Sequence, residues 1–229
     1  MAIGDCSRPR LRRFAMDRRV AVVGPAAASA SSDRRHAGTL ASMTGTPRVA
    51  LLRGINLGSV NRIPMTALRE LAESIGFSGP VTHLQSGNLV FETALGEIAA
   101  VKALESAIAG RFGFEVPVVM RSAEELIAVA ERHPLAGSNP DPKKLVVAFL
   151  DLAPEVPIEY AIDPEQYLPD RYQLEGRDLY LEYPNGFGRS KLSHSLIERR
   201  LEVGATIRNW NTVTKLAELA GRMSRGNSG

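Results

Sequence analysis

Arg48-Val49-Ala50-Leu51-Leu52-Arg53-Gly54-Ile55-Asn56-Leu57-Gly58 is a short apolar strand that empties directly into a glycine- and asparagine-bearing polar loop. Working outward from it, Pro64 suits the first turn of a helix, where its missing N–H costs nothing. Leu68, Leu71, Ala72 and Ile75 then fall on one helical face, and Gly76 stands at the C-cap. Val81–Gln85 and Leu89–Glu92 read as strands joined through Ser86-Gly87-Asn88, which has turn chemistry. Ile98, Val101, Leu104, Ile108 and Phe112 mark a second helix closed by Gly113, and Val116–Met120 is a fourth strand. The order β-α-β-β-α-β is the ferredoxin-like pattern.

A second α+β unit follows. Ser122-x-x-Glu125 is a capping box that opens a helix through about Glu131. Leu145–Leu150 is a continuous apolar run, read as a buried strand. Residues 153–170 are proline-rich and read as irregular, with a helical turn near Pro164–Tyr167. Tyr172–Glu175 and Leu179–Tyr183 form a hairpin around Gly176-Arg177-Asp178. Ser190–Val203 reads as a helix stopped by Gly204. Thr212 caps a last helix whose Val213, Leu216, Ala217 and Ala220 share a face. The expected fold is α+β, two ferredoxin-like (βαββαβ-type) subdomains with antiparallel sheets behind a disordered N-terminal tail. The ranges are 1–47 for the tail, 48–121 and 122–222 for the subdomains, and 223–229 for a frayed C-terminus.

The chain has 229 residues, 44% hydrophobic and 23% charged, which fits a soluble globular protein. Its pI near 9.2 is misleading. Residues 1–42 hold eight arginines against three aspartates, a net +5; the remainder holds 20 basic and 22 acidic residues, a net −2. Net charge therefore gives no support for a binder of nucleic-acid backbone. No apolar run is long enough to span a membrane. The single cysteine, Cys6, lies in the tail, so the folded part has no internal disulfide or thiolate chemistry, which suits a reducing, cytoplasmic setting. The tail itself has three readings: a signal-like segment broken by Gly24-Pro25, a basic arm, or a disordered extension or over-called start with Met43 as the true one.

Four polar segments at element ends carry the candidate chemistry. In Arg53-Gly54-Ile55-Asn56, Arg53 could clamp a phosphate or carboxylate and Asn56 orient a ligand, or Asn56 and Asn61 could bond the loop's own backbone. Gln85-Ser86-Gly87-Asn88 could hold ligand through Gln85 and Asn88; Ser86 as a nucleophile lacks an acidic orienter and sits on the strand face opposite His83. Gly188-Arg189-Ser190-Lys191 before a helix suggests an anion site, with a capped helix and solvated charges as the alternative. Arg208-Asn209-Trp210-Asn211-Thr212 contains the only tryptophan, either a stacking platform or a core anchor. The four histidines show no metal-ligand spacing. The scattered helical glutamates read as solvated faces.

Together, Leu52-Arg53-Gly54-Ile55-Asn56, Gln85-Ser86-Gly87-Asn88, Gly188-Arg189-Ser190-Lys191-Leu192 and Arg208-Asn209-Trp210-Asn211-Thr212-Val213 resemble the DUF1697 family, a group of uncharacterised bacterial proteins. The resemblance covers about residues 48–221. It departs at Ser59, where the family more often has Gly-Gly at 58–59. It implies an α+β fold with ferredoxin-like subdomains and carries no activity or cofactor. The functional expectation is a cytosolic protein binding an anionic small molecule or nucleotide-like ligand in one cleft between subdomains. That cleft would use Arg53, Asn56, Asn61, Gln85, Asn88, Arg189, Ser190, Lys191, Arg208 and Asn211. The alternatives are an enzyme acting on a phosphorylated substrate, and an RNA- or single-strand-binding or structural interaction module.

Overall fold

The computed structural model of the protein describes residues 45–137 and 141–226. Expectations for residues 1–44 lie outside the described residues. In chain order the first half runs β1 (Thr46–Leu52), α1 (Met65–Ser74), β2 (Ser78–His83), β3 (Asn88–Thr93), α2 (Glu97–Phe112), β4 (Val118–Ser122) and α3 (Ala123–Glu131). The second runs β5 (Leu145–Leu150), α4 (Ile158–Ala161), β6 (Arg171–Glu175), β7 (Asp178–Glu182), α5 (His194–Leu201), β8 (Ala205–Asn209) and α6 (Trp210–Gly226). Both sheets are antiparallel, ordered β2-β3-β1-β4 and β6-β7-β5-β8. The two orders are the same topology, the ferredoxin-like one, with one extra helix after each last strand.

The central strands are apolar on both faces because both faces are covered. Ala50, Leu52, Leu89, Phe91 and Met120 pack under Leu68 and Leu71 of α1 and Leu104 and Ile108 of α2. Val49, Leu51, Val90 and Val119 turn the other way. They meet α3, α6 and the facing Val147, Phe149 and Tyr180 of the second sheet. Val146, Ala148, Leu150, Leu179 and Leu181 are covered by α4 and α5. The helices after β4 and β8 thus form a shared layer between two sheets.

Several local readings hold. Ser122 Oγ accepts from Glu125 N at 3.1 Å while Glu125 Oε2 accepts from Ser122 N at 2.7 Å, a complete capping box at α3. Gly113 ends α2 at φ 78°, and Pro164–Tyr167 is a 3-10 turn. Others need correction. Thr46 and Pro47 belong to β1, paired with Thr93 and Glu92, not to the tail. The proline-rich stretch contains α4. The helix expected from Ser190 starts only at His194, capped by Ser193 Oγ; Phe187–Arg189 is a 3-10 turn and Ser190 is extended. Residues 205–209 form β8, hidden in the sequence because Thr206 and Arg208 are polar yet buried. Asn209, not Thr212, caps α6, accepting from Thr212 N at 2.8 Å, and α6 continues through Gly226, beyond the expected fraying at 223.

His133 is the exception in the shared layer. It is 5% exposed, with its ring edge-on to Tyr180 and Trp210 at 5.2 and 5.1 Å. Nε2 lies 3.2 Å from Val146 O, which makes it the donor, and among the described residues the buried Nδ1 has no partner. Burial pushes its pKa below 6.5, opposed by the Val146 carbonyl and Glu182. Below about pH 6.5 the unfolded chain takes up a proton that the folded chain refuses, so stability falls as pH falls toward the folded pKa. His83, lowered by burial and by Lys215, adds a contribution of the same sign. Urea titrations between pH 7.5 and 5.5 should show a decline with a slope of up to about 1.4 kcal/mol per pH unit per group. His133→Phe should reduce the slope, and an unchanged slope would exclude His133 as a source of it.

Candidate functional site

The loop after β1 is built by its asparagines. Asn56 has φ 55° and Asn61 φ 49°, left-handed conformations that asparagine tolerates. Asn56 N donates to Asn61 O at 3.0 Å, and Asn61 Nδ2 donates to Gly54 O at 3.2 Å. Asn56 Nδ2 donates to Ile63 O at 3.0 Å and Gln85 O at 2.7 Å, while Oδ1 accepts from Ile63 N at 2.9 Å. This ties the loop to the β2–β3 turn, where Leu84 itself sits at φ 59°, an unusual place for leucine. Gly87 closes the turn at φ 78°; a Cβ there would stand 2.7 Å from Leu52 Cβ and Ile55 Cδ1.

A cavity of about 520 Å³ opens between this loop, the turn and the start of α1, lined by Asn56, Arg62, Pro64, Met65, Thr66 and Gln85 among others. Arg62 is its only charged lining residue, is exposed and makes no ion pair among the described residues. No side chain caps α1 and no acidic residue sits in its first turn. The positive end of the helix therefore faces the cavity uncompensated.

Arg208 and Asn88 have a different task. Arg208 is 7% exposed and lies on β8. Its Nη2 donates to Leu52 O at 2.7 Å, Ser86 O at 3.2 Å and Gly87 O at 3.3 Å, and its Nε donates to Asn88 Oδ1 at 2.5 Å. Nη1 donates to Thr206 Oγ1 at 2.7 Å and Ile207 O at 2.9 Å. Asn88 is fully buried and spends its Nδ2 on His83 O and Ser86 Oγ. Ser86 is thus held by Asn88 rather than by His83. Burial pushes the Arg208 pKa down to about 10.

Arg121 on β4 is the counterpart that sequence reasoning missed. It is 1% exposed and donates through Nη2 to Leu150 O at 2.9 Å and Arg177 O at 2.8 Å, through Nε to Asp178 Oδ1 at 3.1 Å, and through Nη1 to Met120 O at 2.8 Å. Leu150 ends β5 as Leu52 ends β1, and Asp178 opens β7 as Asn88 opens β3. Each half thus inserts an arginine into the strand-end and turn of the other. The available signal was an arginine immediately before a helix-capping residue, Arg121-Ser122 and Arg208-Asn209, twice in one chain. Arg53 Nη2 pairs with Glu198 Oε2 of α5 at 2.6 Å, another link between halves.

Arg189, Ser190 and Lys191 line a separate cavity of about 190 Å³ with Asp170, Tyr167 and Asn185. Ser190 Oγ donates to Asp170 Oδ2 at 2.5 Å and accepts from Leu192 N at 2.8 Å. Asn211 is exposed in the first turn of α6 and lines none of the described cavities. Trp210 packs half-buried against the shared layer, an anchor. The ten residues expected to share one cleft therefore divide. Asn56 and Gln85 line the larger cavity with Asn61 bracing it, Arg189, Ser190 and Lys191 line the smaller, and Arg53, Asn88 and Arg208 join the halves. Among the described residues no group of three His, Cys, Asp or Glu is placed to hold a metal ion, and no helix is long and apolar enough to cross a membrane.

Residues 46–180 match the family model described as a protein of unknown function, DUF1697. The fold is similar to that of a conserved bacterial protein, SP0830, from Streptococcus pneumoniae. The TM-score is 0.60 and the identity 21%, over 76% of this chain and 98% of that one. No curated protein matches the chain.

If Arg208 is a structural clamp, Arg208→Lys should destabilise the protein by about 2–4 kcal/mol, since a single ammonium cannot serve the six acceptors and a partly broken buried network is costly. A denaturant titration measures this. Unchanged stability would return Arg208 to the pool of ligand contacts. Gly87→Ala should cost about 2–4 kcal/mol from the left-handed backbone and the 2.7 Å overlaps combined.

Proposed function

The chain belongs to the DUF1697 family, and we propose that it binds an anionic small molecule, nucleotide-like in size, in the cavity at the start of α1. The observation that carries this reading is the cavity's charge. It joins an uncapped helix start to an unpaired Arg62, with no carboxylate in the lining. Backbone N–H groups at such a terminus, together with the helix dipole, favour a phosphate or carboxylate. Its volume, about 520 Å³, lies within the range of small-molecule sites. Residues in left-handed backbone, Asn56, Asn61 and Leu84 among them, concentrate around it, as strained residues do at binding sites. Arg208 supports the reading from behind. Its guanidinium bonds Ser86 O, one residue along the turn from Gln85, and has no carboxylate partner among the described residues.

In this reading Arg62 pairs with the anion, Thr66 and the first N–H groups of α1 complete its shell, and Gln85 and Asn56 face the remainder of the ligand. The cytosolic setting expected from the sequence belongs to the same proposal. A thermal-shift screen with nucleotides and phosphorylated metabolites tests it. A ligand at 100 times its Kd adds about 2.7 kcal/mol, roughly 5–10 °C for a folded part of this size. Arg62→Glu should abolish the shift without lowering the melting temperature of the free protein. A panel without a single shift, or a shift that survives Arg62→Glu, would defeat the proposal.

A further inference from the structure

The smaller cavity differs from the α1 cavity in one respect that bears on chemistry: its lining is of mixed sign. Asp170 is only 8% exposed, yet among the described residues no Lys, Arg or His nitrogen comes within ion-pair distance of it. Its donors are neutral: Ser190 Oγ holds Oδ2 at 2.5 Å, and the backbone is fixed by Asp170 N donating to Tyr167 O at 2.9 Å. A carboxylate removed from water without a cation is costly, so buried charges are as a rule paired. The same cavity is lined by Arg189 and Lys191, both exposed and without an ion-pair partner among the described residues. Gln166, Tyr167 and Asn185 add neutral polar groups.

We infer that this cavity is a second ligand site, for a zwitterion of amino-acid size, its ammonium on Asp170 and its carboxylate or phosphate on Arg189 and Lys191. Volume limits the ligand. About 190 Å³ is room for about six water-sized volumes, which matches a free amino acid better than a whole nucleotide. Ser190 is a positioning residue here: its hydroxyl is committed to Asp170 and to Leu192 N, and so fixes the carboxylate rather than touching the ligand. The site is independent of the α1 cavity, and either proposal can fail alone.

Calorimetric titration of the full chain with free amino acids and O-phosphoserine is the first measurement. At least one zwitterion should bind. Its N-acetyl analogue, which lacks the ammonium, and the matching amine, which lacks the carboxylate, should each bind about ten- to a hundredfold more weakly, the loss of one charged hydrogen-bonded contact. Asp170→Asn and Lys191→Gln should each weaken the parent zwitterion by a similar factor, and Arg62→Glu should leave it unchanged. If Asp170→Asn does not fold, Lys191→Gln and the analogue series still decide. Binding of the N-acetyl analogue as tight as the parent would overturn the inference in favour of a plain anion site. Failure of every zwitterion to bind would overturn it outright.

Discussion

Two buried guanidinium groups, Arg121 and Arg208, hold this fold together by exchange. Each leaves the last strand of its own half and satisfies a strand-end carbonyl, a turn carbonyl and the first side chain of a strand in the other half. An unpaired carbonyl in a buried strand end costs about 1–3 kcal/mol, and β1 and β5 both end inside the structure, at Leu52 and Leu150. The arginine fork suits this position because it presents five fixed donors. The shared layer of α3 and α6 supplies the apolar contact between the two sheets, but apolar contact is non-directional. The arginines set the relative register of the two sheets, since a displaced half would leave a cation and several acceptors buried and unmatched.

The exchange is symmetric in geometry and asymmetric in charge. Arg121 meets Asp178, whose carboxyl pKa is raised by burial against the opposing pull of Arg121. Arg208 meets Asn88 at the equivalent position and is held by dipoles alone. A guanidinium compensated only by carbonyls keeps more of its field, and in a low-dielectric interior that field reaches further than at the surface. The turn it grips, Ser86 and Gly87, is the one that Asn56 joins through Gln85 O. The structural clamp and the proposed anion cavity therefore share a backbone segment, and the missing carboxylate favours an anion there.

The fold was legible where period and punctuation agree. The apolar strand at Val49–Leu52, the helix face of Leu68 and Leu71, the capping box at Ser122 and the run Leu145–Leu150 each follow from one local rule. β8 was not legible, because Ala-Thr-Ile-Arg-Asn alternates only if a buried arginine is counted as a core residue, and burial of Arg208 depends on acceptors 120 and more residues away in the chain. For the same reason the candidate site was read too broadly. Arg53, Asn88 and Arg208 look like ligand contacts when isolated at element ends, and only the other half reveals that their partners are already present. Arg62 and Asp170, in contrast, do not read as ligand contacts in the sequence, although Arg62 lies in the polar element Asn61-Arg62-Ile63-Pro64-Met65; their interest arises from lacking ion-pair partners among the described residues, a property that a sequence does not display.

Duplication of the topology also explains why the anion proposal attaches to one half. The loops after β1 and β5 occupy equivalent places, and both lead through a proline, Pro64 or Pro157, into a helix without a side-chain cap. In the first half that loop carries Arg53 and Arg62, and α1 has no acid in its first turn. In the second it carries Asp151 and Glu155, and α4 opens with Glu159 and lasts four residues. A short helix offers little dipole, and the carboxylate at its start neutralises what there is. Asp151 is moreover spent on the fold, its Oδ1 accepting from Gly204 N at 2.9 Å. Arg53 is likewise spent, on Glu198 at 2.6 Å, so the contrast that bears on the proposal is between Arg62, without an ion pair among the described residues, and the carboxylates Glu155 and Glu159 at the other helix. The cavity at α1 is where the shared architecture and the local charge agree.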